Sequence, residues 1–315
     1  MRELELWQAV VLGLVEGITE YLPISSTGHL VLAGAAMKLD IESQAVKDFS
    51  IVIQGGAILA VVGLYWPSVV RMLKGLFGRD PDGLRLFLNL VVAFIPSAVV
   101  GLLANKWIDA HLMGVGPVMA SVLAGGVFMI GVDLWSQGRL GKQRRWRAEG
   151  PTIYQVTLKQ ALMIGLLQCF ALWPGTSRSM MTITGGLFAG LRPAEAARFS
   201  FLLGLPTLTA ATLYKLYKNL SHAKEAGEPN LFQELGLTAC VVGIAVAAVS
   251  AAAAVKWLVS FLTRHGLAPF GWYRIALFVV LLGLSLGGVL SIRGEAGPKA
   301  EEPRTVGPLS WPEER

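Results

Sequence analysis

Charge is what this sequence has least of. It contains 21 acidic and 27 basic residues among 315, or 15% of the chain, where a soluble domain carries about 25%. That deficit excludes an ordinary water-solvated surface over most of its length. Cysteine is nearly absent as well. Cys169 and Cys240 both lie in apolar sequence, which argues against a disulfide framework and reads as two buried packing residues. The four histidines show no zinc spacing. No small-residue cleavage site follows the first apolar run, and Glu3, Glu5, Glu16 and Glu20 interrupt it, so the N-terminus is not read as a cleavable leader. The net charge of +6 does not point to nucleic acid, because the basic residues gather in loops beside apolar runs.

What the chain has instead is hydrocarbon: 54% hydrophobic residues and a mean hydropathy of +0.57. A bilayer crossing takes about 20 apolar residues. Phe49 to Trp66, Leu86 to Asn105, Val115 to Val132, Gly236 to Val255 and Ile275 to Ile292 qualify. Phe199 to Leu213 qualifies once part of the Ala194 to Arg198 lead-in is added. The expectation is an all-α polytopic membrane protein with six spans.

Two further apolar segments do not read as spans. Leu6 to Leu22 runs into "PISSTGH" and then Leu30 to Met37; Ala161 to Trp173 runs into "PGTSRS" and then Met180 to Leu191. Each half is too short to cross, and proline with small polar residues breaks the middle. Irregular backbone at membrane depth is tolerated only where protein buries it or it lines a wet cavity. Both segments are therefore read as re-entrant helical hairpins, over about 6–37 and 160–191. They also match each other. "PISS" aligns with "PGTS", "GLVEG" with "GLLQC" across a one-residue gap, and "DFSIVIQGG" with "RFSFLLGLP". Each half then holds one hairpin plus three spans. Three is odd, so the second copy enters upside down, as an inverted-topology repeat. Repeat 1 covers 1–140, repeat 2 covers 141–293, and 294–315 is a polar tail rich in Pro, Gly and Glu that reads as disordered.

Loop charge orients this arrangement. Arg71, Lys74, Arg79 and Arg85 follow the first span, and Arg139, Lys142, Arg144, Arg145 and Arg147 follow the third, whereas only Lys106 lies between the second and third. The positive-inside rule makes the basic loops cytoplasmic. Both termini then face outward, the first hairpin dips in from outside and the second from the cytoplasm.

The chemistry concentrates in the two breaks. Glu16 and Glu20 are four apart and share a helix face. They either snorkel to the surface or bind a divalent cation or move protons, with Gln168 at the matching position of the second half supplying one neutral oxygen ligand. Ser25, Ser26, Thr27 and Gly28 open one short helix that continues through His29, and Thr176, Ser177, Arg178 and Ser179 open the other. Hydroxyls at helix starts are commonly N-caps, but that does not account for Arg178 or His29. Helix N-termini with a glycine and an arginine make an anion site. Arg178, Ser25, Thr27, Ser177, Ser179 and Gly175 are assigned to it. If the hairpins meet tip to tip, a diphosphate fits the charge pattern. Three routes of attack stay open: Ser26 with Glu20 or His29 as base, His29 itself, or a water activated by Glu20.

These residues carry a resemblance. "LGLVEGITEYLPISSTGHL" and "LWPGTSRS", together with "FSIVIQGGAILAVV" and "RFSFLLGLPT", resemble the signature regions of the bacterial undecaprenyl-diphosphate phosphatase family, also called bacitracin-resistance proteins. The resemblance extends to about Ile292 and omits the tail. It implies a multi-pass inner-membrane enzyme that removes the terminal phosphate of a C55-prenyl diphosphate, recycling a lipid carrier for peptidoglycan synthesis. It also implies dependence on a divalent cation, Mg2+ or Ca2+, and a homodimer. Glu16 and Glu20 match the family's glutamate pair, Ser26 and His29 its proposed nucleophile and partner, and Arg178 its phosphate-binding arginine. The rival class is a secondary transporter, in particular a polyprenyl-phosphate flippase built on the same inverted repeat. A transporter has no need of a Ser/His/Glu set beside a phosphate clamp, so the enzyme is the preferred reading.

Overall fold

The computed structural model describes residues 5–39, 44–137, 139–140, 150–226 and 230–288. The 294–315 tail and most of the second basic loop lie outside the described residues. Within them the chain is helical, with no strand.

The first element is broken where proline and serine predict. Helix α1 (Leu6–Thr19) and helix α2 (Ser26–Ala36) have 14 and 11 residues, about 21 and 16 Å at 1.5 Å per residue. Neither reaches across a hydrocarbon core of about 30 Å. Helices α3 (Gln44–Leu64), α4 (Trp66–Leu76), α5 (Pro81–His111) and α6 (Val115–Ser136) follow. The second broken element is α7 (Leu158–Gln168), a 3-10 turn at Cys169–Leu172, and α8 (Arg178–Phe188). The chain finishes with α9 (Pro193–Ala226), the short α10 (Leu231–Leu235), α11 (Leu237–His265) and α12 (Ala268–Leu286). Among the described residues six helices, α3, α5, α6, α9, α11 and α12, are long and apolar enough to cross a membrane. The protein is an all-α polytopic membrane protein.

Three boundaries depart from the sequence expectation. The last span begins at Ala268, not Ile275, because Arg274 interrupts the apolar run yet is fully buried. Helix α9 runs well past both ends of its apolar stretch. The basic segment after the first span, expected as a loop, is the helix α4, with Pro67 in its first turn. Arg71 on α4 grips Asp80 with two bonds, Nε to Oδ2 at 2.7 Å and Nη2 to Oδ1 at 3.1 Å. Asp80 also caps α5 by accepting from the Gly83 N–H at 2.9 Å. The Arg71 contact, with the Gly83 N–H behind it, holds the Asp80 carboxyl down to about 2.

The two broken elements are built alike. Each second helix starts from a serine at positive φ: Ser25 at φ 76, ψ 97 and Ser177 at φ 74, ψ 112. Non-glycine residues rarely occupy that region. In each, the serine hydroxyl accepts an N–H three residues on, from Gly28 at 3.2 Å and from Met180 at 3.3 Å. The cap offsets part of the strain. Each first helix also lies along a long span through a glycine: a Cβ on Gly17 would strike the Ala247 carbonyl of α11, and one on Gly165 the Ala93 carbonyl of α5. Both first helices are therefore packed backbone to backbone against a long span. The largest apolar cluster takes Tyr21, Leu22 and Ile24 from the first break, Met180 and Ile183 from α8, and Phe199, Phe201 and Leu202 from α9.

Candidate active site

The hairpins meet. The Ser179 hydroxyl donates to the Leu22 carbonyl at 2.9 Å, joining α8 to the turn after α1. Across this junction the Ser26 hydroxyl donates to Glu20 Oε2 at 2.8 Å, and Glu20 Oε1 lies 3.5 Å from Arg178 Nη2. Glu20 and Arg178 come from different hairpins, and their side chains are 8% and 9% exposed. Burial at this level makes each charge costly without the other.

Arg178 is only half used. Its Nη1 donates to the Ser200 carbonyl at 3.0 Å, and its guanidinium stands over the Tyr21 ring at 5.4 Å. Its Nε and Nη2 are buried without a hydrogen-bond partner. Those two nitrogens form the same guanidinium edge with which Arg71 grips Asp80. A buried donor left unmade costs about 1–3 kcal/mol, more on a charged group. Two phosphate oxygens would satisfy both in parallel. Room for the guanidinium comes from Gly204 of α9, where a Cβ would sit 3.0 Å from Nη1.

The other expected residues fall into two groups. Ser25 and Ser177 are the caps already described. The Ser179 hydroxyl is spent on Leu22 and lies 3.0 Å from that of Ser177. Gly175 holds φ 91, and a Cβ there would strike the Ser121 hydroxyl, which instead donates to the Pro174 carbonyl at 2.6 Å. Thr27 is half-buried in the first turn of α2. Glu16 is 2% exposed, so it does not snorkel. Gln168 is equally buried, its amide donating to the Ser97 hydroxyl and its carbonyl 3.4 Å from Thr207 Oγ1. His29 turns away from Ser26. Its Nδ1 faces the Ser25 carbonyl and its Nε2 the Tyr273 hydroxyl, each at 2.7 Å.

Sequence reasoning missed Arg274, Tyr273, Ser200 and Gly204, and no local motif marks them. Arg274 donates from Nε to the Val122 carbonyl at 3.1 Å and from Nη2 to the Ser121 and Gly175 carbonyls at 2.9 Å each. It ties α6 and the second break to α12. A polar seam on α9 was missed too: Thr212 donates to Gln54 at 3.0 Å and Asn219 to Asp48 at 2.7 Å, continuing outward from Thr207.

Among the described residues no three of His, Cys, Asp and Glu gather as a metal site. Two buried carboxylates are available, Glu16 and Glu20. Calcium takes about six to eight oxygen ligands, whereas magnesium is usually held by one or two carboxylates plus substrate phosphates and water. Two carboxylates are too few for a calcium site by themselves, but they are the donor type and number that magnesium takes from protein.

A polytopic membrane protein whose buried core brings a serine, a carboxylate and a half-free arginine together has the groups that phosphoryl chemistry uses. The family comparison agrees with that class. Residues 9–280 match the family model described as Bacitracin resistance protein BacA, and the chain belongs to this family. It is 49% identical over 278 residues to a Sorangium cellulosum protein named undecaprenyl-diphosphatase, covering 88% of this chain and 86% of the relative. It is 45% identical over 284 residues to undecaprenyl-diphosphatase 2 of Rhodospirillum rubrum, covering 90% and 96%. A Variovorax paradoxus protein named undecaprenyl-diphosphatase is 41% identical over 283 residues, covering 90% and 96%.

Proposed function

We propose that this protein hydrolyses undecaprenyl diphosphate to undecaprenyl phosphate and inorganic phosphate, within the bacterial inner membrane. The observation that carries the reading is the Ser26–Glu20–Arg178 arrangement: a hydroxyl bonded to a carboxylate, beside an arginine edge that ion-pairs with that carboxylate at 3.5 Å but makes no hydrogen bond. The names of the relatives supply the lipid.

In this reading Arg178 grips the terminal phosphate through Nε and Nη2. Ser26 Oγ attacks the terminal phosphorus in line with the bridging oxygen and gives its proton to Glu20, which already lies within general-base reach. The bond from phosphorus to the bridging oxygen breaks and undecaprenyl phosphate leaves. Water then attacks the phosphoserine, releases inorganic phosphate and restores Ser26. Glu16 and Glu20 would hold a divalent cation, which neutralises diphosphate charge and stabilises what develops in the transition state. Catalysis of this kind is mostly positioning and electrostatics, and buried hairpin tips supply a water-poor setting for both.

The paired serine caps at positive φ support an inverted repeat in which each half contributes one broken element. Loop charge supports termini on the outer side, and the family resemblance supports a homodimer.

The test is phosphate release by purified protein in detergent from undecaprenyl diphosphate labelled in its terminal phosphate. Release is expected, with an acid-stable phosphoserine trapped by rapid acid quench. A wild-type protein that releases no phosphate would overturn the reading.

A further inference from the structure

The imidazole of His29 is held from two elements. A backbone carbonyl only accepts, so the 2.7 Å contact to the Ser25 oxygen makes Nδ1 the protonated nitrogen. In the neutral ring Nε2 is then an acceptor, and the Tyr273 hydroxyl, 2.7 Å away, donates to it. The two rings are within 4° of parallel, with centroids 5.5 Å apart. The partner that Ser26 uses is Glu20, so neither ring nitrogen of His29 serves that hydroxyl in this arrangement.

Tyr273 is itself held in place. Its neighbour Arg274 is fully buried and binds the Ser121, Val122 and Gly175 carbonyls. Consecutive residues of α12 therefore reach both broken elements: Tyr273 touches α2 through His29, and Arg274 touches the turn before α8 through Gly175. The hydroxyl is presented to His29 by a helix fixed against the opposite hairpin. Tyr273 is about half exposed, so burial alone gives it no reason to seek a partner.

We propose that Tyr273 is a positioning residue for the reaction, acting through His29: its hydroxyl fixes the ring orientation and the Nδ1–H tautomer, and so sets the first turn of α2 that carries Ser26. This rests on the hydrolase reading for its kinetic consequence but not for its geometry. With the hydroxyl removed, Nδ1 keeps its carbonyl, Nε2 loses its donor, and the ring is free to swing out of the stack. Ser25, whose carbonyl receives Nδ1, is the strained cap residue immediately before Ser26. Loosening the ring therefore acts on the backbone that aims the nucleophile.

Tyr273→Phe keeps the ring and removes only the donor. Nitrogen NMR of full-length protein labelled at histidine is the direct test, with His111, His222 and His265 as internal controls and His29→Gln to assign the signal. The Nε2 resonance of His29 should move toward that of an unbonded pyridine-type nitrogen while the control resonances stay put. In parallel, kcat should fall about fivefold to tenfold, the worth of one lost hydrogen bond, with KM little changed. An unmoved Nε2 signal overturns the contact. An unchanged kcat, or a loss accompanied by displaced control signals, overturns the positioning role. A silent wild type would instead strike the hydrolase reading, leaving the NMR result to stand separately.

Discussion

Glu20 and Arg178 face each other at 3.5 Å across the junction of the two hairpins, and each retains capacity for a further partner. Glu20 spends its second oxygen on the Ser26 hydroxyl, while Arg178 anchors one nitrogen on Ser200 and leaves the hydrogen-bonding capacity of its Nε and Nη2 unmet. The pair links the Ser26 hydroxyl of one hairpin to the guanidinium of the other. Removing either partner leaves the other as a buried charge without compensation, which is why such pairs are rare at membrane depth unless they do chemistry.

The unmet donors make a specific claim about Arg178. Lysine keeps the charge but presents a point, not a fork, and it cannot hold the Ser200 carbonyl and two phosphate oxygens together. Arg178→Lys should lower kcat by roughly a hundredfold, about 3 kcal/mol of transition-state stabilisation. Steady-state phosphate release checks it. Near-normal turnover would reduce Arg178 to a counter-ion for Glu20.

Two carboxylates, with no third His, Cys, Asp or Glu gathered beside them among the described residues, predict a cation that depends on substrate for part of its coordination. Chelator should abolish turnover, and magnesium should restore it. Glu20→Gln should move the magnesium dependence to higher concentration and, because it also removes the base for Ser26, keep kcat low at saturating magnesium, whereas Glu16→Gln should mainly shift the magnesium dependence. A titration of activity against free magnesium separates these outcomes. Full activity in excess chelator would leave the pair as proton carriers.

Much of this site was legible because membrane sequence makes polar residues conspicuous. Proline, serine and ionisable groups inside apolar runs located both breaks, and helical spacing put Glu16 and Glu20 together. The partners from distant helices were not legible. Arg274 cut a hydropathy run short and hid the start of α12, although its charge is buried against three carbonyls. Tyr273 lies just ahead of the expected span, and no local motif marks it. The helix α4 was read as a loop because its 11 residues mix basic and apolar side chains and its aspartate partners lie beyond its end. Such contacts join residues far apart in sequence, and no local spacing encodes them.

The capping serines carry a backbone prediction. Glycine occupies positive φ freely, and at an N-cap it costs only a few tenths of a kcal/mol relative to serine. Alanine keeps the strain and loses the cap. Ser177→Gly should therefore unfold at nearly the wild-type midpoint, while Ser177→Ala loses about 1 kcal/mol. Denaturation in detergent, followed by circular dichroism, distinguishes them. Equal losses would mean that the strained cap is not what shapes the second break.

Re-entry predicts sidedness. In a protein with Cys169 and Cys240 replaced by serine, single cysteines at the exposed positions Glu5 and Lys38 should both label from outside. One at Phe77, 79% exposed beyond α4, should label only from the cytoplasm. Membrane-impermeant reagent on intact and opened cells reads this directly. Labelling of positions 5 and 38 from opposite sides would mean that α1 and α2 together cross the bilayer.

The central claim is that Ser26 is the nucleophile and Glu20 its base. The measurement that bears on it most directly is the turnover of Ser26→Ala with undecaprenyl diphosphate, at saturating magnesium and with folding verified by circular dichroism. The account predicts a fall in kcat of at least about a hundredfold, since a serine nucleophile has no substitute among the groups touching Glu20. A variant that keeps more than about a tenth of wild-type turnover, a barrier change below ~1.4 kcal/mol, would contradict it and transfer the attack to water or to His29.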